Sequence, residues 1–400
     1  MQAVIIGGGA AGLTAALTAA RNGHSVTILE AQNRVGRKLA VTGNGRCNLT
    51  NLEAAVSRYH GEDPAFVGPA LQALDAAGTL AFFRNLGLLT TAEPGGRVYP
   101  LSDQATGVVD VLRFACDAAG VQTRTACRVT EIRPAAGGFS VRTEAGNFSA
   151  DRVIVCAGGA AGARYGGSAA VYSLLTALGH SRTKLFPSLV QIKTGTALVR
   201  SLKGVRADAA VTVLDGAGRP AAQSAGEVQF TDYGLSGPAV FEVSRAAAAG
   251  QGSRIALDLL RNYTLQDIAA LLRARRSACP ALTYENLLTG MLHNRLGRTL
   301  LRACGLDLHT PLSSLTEAEI RRIAQTAKCW ELQITGTMGF DAAQVTAGGI
   351  RTAEFRPDTL GSRLVPGLYA AGEILDIDGD CGGFNLQWAW ASGRLAGRLG

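Results

Sequence analysis

The first thirty residues, MQAVIIGGGAAGLTAALTAARNGHSVTILE (1–30), decide the fold. Residues 3–6 are a short apolar run suited to a buried parallel strand. Gly7-x-Gly9-x-x-Gly12 follows at once, and residues 13–21 read as a helix closed by Gly23. A second strand over 25–29 ends in Glu30. Glycine spacing alone is weak, but set between strand and helix, with an acid ending the next strand, it is a dinucleotide-binding fingerprint. Gly7 makes the tight turn and Gly9 admits a pyrophosphate close to the backbone. Gly12, after Ala11, lets the helix pack on the strand. Phosphates then rest on the positive helix N-terminus. Glu30 is placed to accept from ribose hydroxyls and disfavours a 2′-phosphate, so FAD or NAD fits better than NADP.

Glycine makes up 50 of 400 residues while 47% of the chain is hydrophobic. This excludes collagen and disorder, and puts the glycines at turns and close approaches inside a packed protein. Two further clusters separate FAD from NAD. Ala157-Gly158-Gly159 ends the apolar run 153–156, and Gly372-Glu373 ends another over 367–371. An acid this far downstream suits an extended FAD, whose ribitol and flavin lie far from the adenine end. After Gly382-Gly383, residues 386–399 read as a helix. Its start, with Phe384, Asn385 and Leu386, aims backbone N–H groups at the flavin N1–C2=O edge.

At residues 36–51, Gly-Arg-Lys-Leu-Ala-Val-Thr-Gly-Asn-Gly-Arg-Cys-Asn-Leu-Thr-Asn, the chain resembles the aminoacetone oxidase-like and bile-acid dehydro-reductase-like FAD flavoproteins of bacteria. The run 372–390, Gly-Glu-Ile-Leu-Asp-Ile-Asp-Gly-Asp-Cys-Gly-Gly-Phe-Asn-Leu-Gln-Trp-Ala-Trp, is similar to that family's second signature. Gln344-Val-Thr-Ala-Gly-Gly349 and Phe230-Thr-Asp-Tyr-Gly-Leu-Ser-Gly-Pro238 complete the resemblance, which spans the whole chain. It implies that Gly43, Gly45, Arg46, Cys47 and Asn48 join the cofactor site and that the Val129 backbone meets the adenine. Arg37, Lys38 and Arg46 are candidates for neutralising the pyrophosphate or approaching the flavin. Asp232 stands where many members carry His, so a His-based mechanism does not transfer. Cys381 is a feature of the reductase-like branch.

The expected fold is α/β: a Rossmann-like, three-layer FAD-binding domain formed by 1–189 and 341–400. It is interrupted by a substrate or cap domain over 190–340. Helices are expected at 103–119 and 169–178, with short strands at 121–124, 127–132 and 139–143 between them. The insertion reads as a β-barrel-like unit over about 190–260, with strands at 190–193, 209–214, 226–231 and 254–259. A small helical part follows over about 261–340. Thr264-x-x-Asp267 and Thr316-x-x-Glu319 open two of its helices, and 285–304 reads as a third.

The chain carries 39 Lys+Arg against 31 Asp+Glu, a net +8. Residues 261–328 hold ten basic and five acidic side chains, so most of the excess lies there. That pattern reads as a solvated helix surface, or as a cap meeting an anionic substrate or RNA. The eight cysteines form no C-x-x-C pair and the five histidines no ligand set, so no metal is expected and the thiols read as reduced. The uncharged stretch 3–20 is interrupted by Gly7-Gly8-Gly9, which argues against a membrane span or leader; a cytoplasmic location is expected.

Candidate acids and bases are Tyr233, Cys381 and Asp380, with Asp376 and Asp378 beside them. Tyr233 reads equally as a core tyrosine, and the aspartates as turn formers. No second glycine fingerprint with a downstream acid exists, so NAD(P)H would be a transient donor at the flavin site. The first reading is NAD(P)H-driven reduction of an activated C=C in a small molecule of dehydro-3-oxo bile-acid type. The alternatives are an aminoacetone-type amine oxidase using O₂ and a flavin-dependent uridine reductase acting on ribosomal RNA, the last not favoured.

Overall fold

The computed structural model describes all 400 residues. The chain divides into two compact units, one of Met1–Phe186 with Ala343–Gly400 and one of Pro187–Ala342.

In the first unit a five-stranded parallel sheet has the order Leu368–Ala370, Arg152–Val155, Gln2–Ile6, Ser25–Leu29, Gln122–Arg124. Ile5 pairs with both Ile154 and Ile28, and all three are fully buried. Runs of Val and Ile covered on both faces produce this parallel pattern. The helix Ala10–Arg21 turns the chain from the first strand to the second. It packs on the C-terminal helix Phe384–Ala396, where a Cβ on Gly393 would lie 2.4 Å from the Ala11 carbonyl oxygen. That approach admits only glycine. A three-stranded antiparallel meander, Val129–Ala135, Gly138–Thr143 and Gly146–Ala150, sends Phe139 and Val141 into the same core. Helices, parallel sheet and meander make the three layers.

The second unit is a closed antiparallel barrel of six strands. Its order is Ile192–Thr194, Gly234–Ser236, Pro220–Phe230, Arg206–Leu214, Arg254–Asp258 and Trp330–Thr337. Ala209, Val211 and Val213 alternate into the interior, and Phe230 meets Trp330 at 6.0 Å between ring centroids. Side chains fill a barrel of this size. The helix Pro238–Ala248 covers it with Val240 and Val243, and the helices Leu265–Ala278, Asn294–Ala303 and Glu317–Lys328 form a cluster before the last strand. Both expected capping boxes are present, at Thr264/Asp267 and Thr316/Glu319.

Three expectations need correction. Residues 285–304 are not one helix: a turn over Tyr284–Asn286 comes first, Gly290 takes φ +81°, and the helix begins only at Asn294. The helical stretch does not reach 340, because Trp330–Thr337 is the strand that closes the barrel. The helix expected over 169–178 is a 3-10 turn, Ala169–Tyr172, and one α-turn, Ser173–Thr176, ended near Gly179 at φ +94°. No single helix is long and apolar enough to cross a membrane.

Candidate cofactor site

The first unit brings the glycine-rich segments onto the parallel strands. Gly7 donates to the Leu29 carbonyl at 2.9 Å, and a Cβ on Gly12 would lie 1.9 Å from the Gly7 carbonyl oxygen. The turn therefore holds its shape only with glycine at 12. Around a Cβ on Gly9 there is open space, which is what close approach of a pyrophosphate requires. Glu30 accepts from the Gly8 N–H and the Gln32 N–H, both at 2.7 Å, so its carboxylate is fixed at the mouth of the turn. Ala11 is buried, and a Cβ on Gly372 would come within 2.9 Å of its methyl.

Three distant segments meet at Glu373. Lys38 Nζ donates to its Oε2 at 2.6 Å, and the Thr346 N–H donates to its Oε1 at 2.9 Å. Thr346 Oγ1 in turn accepts from the Ala161 N–H at 2.9 Å, beside Gly159, which follows Ala157 and Gly158 after the strand Arg152–Val155. The residue types of Lys38 and Glu373 were readable separately; their pairing across 335 positions was not. Thr346 lies inside the Gln344–Gly349 run, and nothing in the local pattern of that run marks its bond to Glu373.

The C-terminal stretch is locked by backbone-directed side chains. Asn385 both accepts from the Gly379 N–H and donates to the Gly379 carbonyl, each at 2.8 Å. Asn51 Nδ2 donates to the Gly382 carbonyl at 2.9 Å, and Gly383 caps the last helix at φ +102°. Phe384 is buried edge-on against Tyr59 and Leu386 is half-buried on the same core. No local pattern in the sequence marks Gln387, which is wholly buried. It accepts from Thr50 Oγ1 and Thr79 Oγ1 and donates to the Leu74 carbonyl at 2.6 Å, satisfying its amide where an open bond would be costly. Asn48 Oδ1, next to Gly383, is by contrast buried without a partner. An orphaned acceptor beside a helix N-terminus and an open glycine turn fit a polar cofactor lying along this path.

The basic candidates separate. Lys38 faces Glu373. Arg37 donates to Gln32 and to the Arg164 carbonyl. Arg46 is held by Glu93 at 2.6 Å and Asp103 at 2.8 Å, with its guanidinium 4.1 Å from the Tyr99 ring centroid. The loop from Leu39 to Cys47 turns through Gly43, Asn44, Gly45 and Cys47, all at positive φ. Cys47 is wholly buried, and burial pushes its thiol up to about 12. Val129 starts the first meander strand.

Among the acid–base candidates, Asp380 bonds His60 at 2.8 Å with Arg58 at 3.5 Å, and Cys381 beside it is half-buried. Asp376 accepts from the Glu62 N–H at 3.0 Å, and burial raises its carboxyl above the usual range. Tyr233 belongs to the second unit. It sits half-buried in the turn Thr231–Gly234, and its carbonyl accepts from the Thr194 N–H at 3.0 Å. Asp232, beside it, pairs with Lys203 at 2.7 Å, which keeps its carboxyl below the usual range.

The arrangement agrees with comparisons to known proteins. The model of the HI0933-like protein Rossmann domain matches residues 1–399. A 3-dehydro-bile acid delta(4,6)-reductase of Clostridium scindens is 41% identical over 400 residues, covering 98% of this chain and 97% of the relative. A ribosomal RNA dihydrouridine synthase of Escherichia coli is 29% identical, covering 98% and 96%. Among solved structures, 3-ketosteroid delta1-dehydrogenase from Sterolibacterium denitrificans superposes with a TM-score of 0.50 at 14% identity, covering 99% of this chain and 98% of that one; this likeness concerns the fold alone. The chain belongs to the HI0933-like Rossmann family, the FAD flavoproteins its loops resemble, and it is an oxidoreductase.

Proposed function

We propose that the chain binds FAD in its first unit and reduces an activated C=C in a small steroid acid of dehydro-3-oxo bile-acid type, with NAD(P)H as the transient donor. The full-length 41% identity to a bile-acid delta(4,6)-reductase carries this reading. Gly7, Gly9, Ala11 and Gly12 take the pyrophosphate, Glu30 the adenosine ribose, and the Val129 backbone the adenine. Ala157, Gly158, Gly159, Gly372 and Glu373 line the ribitol, with Lys38 fixing Glu373 and Arg37 the loop beside it. Gly43, Gly45, Arg46, Cys47 and Asn48 shape the loop against the flavin. Gly382, Gly383, Phe384, Asn385 and Leu386 present the helix N-terminus, whose positive end favours negative charge at the flavin edge. Bound FAD supplies the two-electron redox centre.

The chain's own remaining task is to deliver one proton to the carbon that does not receive hydride. Cys381 and Asp380 of the first unit are the candidates, and the His60–Asp380 bond supplies a route for re-protonation. Anaerobic addition of NADH or NADPH is expected to bleach the flavin band, and a 4,6-unsaturated 3-oxo bile acid to restore it with one equivalent reduced. Failure of both nicotinamides to bleach it, with hydrogen peroxide released from a small amine in air, would replace this reading by the amine oxidase.

The 29% identity to a ribosomal RNA dihydrouridine synthase favours a second reading, uridine reduction in RNA. The basic helical segment supports it weakly, because its arginines are occupied. Arg275 donates to the Leu287 and Thr289 carbonyls, Arg276 to the Leu315 carbonyl and Glu317, and Arg273 to Glu317. Charge reversal at the exposed Arg302 and Arg321 tests this reading. It requires RNA affinity and its salt dependence to fall with each lost cation.

A further inference from the structure

An open surface pocket of about 300 Å³ lies in the second unit, outside the filled barrel, and the cofactor reading does not use it. Arg206–Leu214 and Arg254–Asp258 pair antiparallel with Ala210 opposite Asp258, so the chain leaving Asp258 runs past Arg206 and Asp208. The approach to the helix Asn294–Ala303 closes the other side. Leu259, Leu292 and Leu296 make the floor, and Arg206, Asn262, Tyr263 and His293 stand at the rim. Asp208 is the one carboxylate in the lining, and Arg261 neutralises it through two bonds at 2.6 and 3.1 Å. Arg206, by contrast, is 63% exposed and reaches Glu227 only at 3.4 Å. His293 Nδ1 accepts from the Arg295 N–H at 3.2 Å, which leaves Nε2 as the donor of the neutral ring.

We propose that this cavity binds a small carboxylate with an apolar body, its carboxylate on Arg206 and the rim donors and its chain on the leucine floor. Few convergent polar groups over an apolar floor describe a small-ligand pocket, and the volume lies at the lower end of the usual 300–1,000 Å³ or so. The floor gives nothing to a fully hydrated inorganic ion, whereas a planar carboxylate matches the guanidinium fork.

Calorimetric titration of the full-length protein with octanoate, and separately with octanol, tests this. Octanoate is expected to saturate one site and shift the His293 ring resonances, with octanol binding at least about tenfold more weakly. Arg206→Glu is expected to weaken octanoate about tenfold or more, while Asp208→Asn tightens it because Arg261 is released to the ligand. Both exposed positions lie in the second unit, and both variants are expected to retain the wild-type flavin content, which separates the result from the cofactor reading. Equal binding of octanol and octanoate, no response to either substitution, or no saturation would each overturn the proposal.

Discussion

The two units use their most abundant features differently. In the first, glycines at 7, 12 and 393 sit where a Cβ would strike a neighbouring backbone, and the turn that Gly7 and Gly12 shape lies beside the fixed carboxylate of Glu30. In the second, the feature that stands out in the sequence is positive charge, yet most of the cations that could advertise a partner are engaged within the unit. Arg273, Arg275 and Arg276 tie the helices Leu265–Ala278 and Glu317–Lys328 to each other and to the loops at their ends. Abundance therefore pointed to chemistry in one unit and to architecture in the other. A glycine's role follows from contacts a few residues away, whereas an arginine's depends on whichever carbonyl or carboxylate the fold brings near.

The strongest test of that contrast is Gly12→Ala. Its added methyl meets the Gly7 carbonyl oxygen at 1.9 Å, and the backbone must move to accept it. A loss of about 3 kcal/mol in chemical denaturation is expected, at the upper end of overpacking costs, with loss of retained flavin. An unchanged midpoint would show that the turn is not close-packed. Next comes Lys38→Met, which frees Glu373 from a pair only 31% and 20% exposed. Flavin affinity is expected to fall about tenfold, which fluorescence titration measures directly.

In the second unit, Arg276→Ala removes bonds to the Leu315 carbonyl and Glu317 and is expected to cost about 1 kcal/mol of stability. The exposed Arg302→Ala stays within about 0.5 kcal/mol and serves as the control. If both variants melt alike, the arginines of this segment are surface charge after all.

The smallest effects separate the units by pH. Asp267 and Glu319 accept from Thr264 and Thr316 in the capping boxes, and these bonds hold both carboxyls below their usual range. A depressed folded pKa gives stability that is present above the unfolded value and lost as pH falls through the folded one. The caps are therefore expected to weaken below about pH 4.5, and Asp267→Asn to flatten that acid limb. In the first unit Asp376 has the opposite sign: burial raises it, so its charged form costs stability above the unfolded value. Asp376→Asn keeps the acceptor for the Glu62 N–H and is expected to raise the melting midpoint at neutral pH but not in acid. A fall at neutral pH would contradict this.

The legibility of the sequence follows the same division. Gly7-x-Gly9-x-x-Gly12 and Glu30 could be read because turn, helix and acid are fixed by local spacing. Both capping boxes could be read for the same reason. Trp330–Thr337 is hidden because three helices separate it from its partner Arg254–Asp258, and most of the second unit separates it from its other partner Ile192–Thr194. Its inward residues, Trp330 and Leu332, are too few to stand out from the helix ending at Lys328. The Lys38–Glu373 pair and the buried Gln387 network join segments hundreds of residues apart, and no local pattern encodes such contacts. The 285–304 stretch misled for another reason: its apolar spacing is helical, but Gly290 adopts a left-handed backbone and restarts the chain.

The most direct test of the account is the flavin itself. The purified full-length protein, or the protein after incubation with FAD and removal of the excess, is expected to absorb at about 450 nm. Denaturation should release one FAD per chain, and the Gly12→Ala protein should retain far less. A wild-type protein that carries no flavin and takes none up from excess FAD would contradict the central claim that the glycine-built loops of the first unit form its cofactor site.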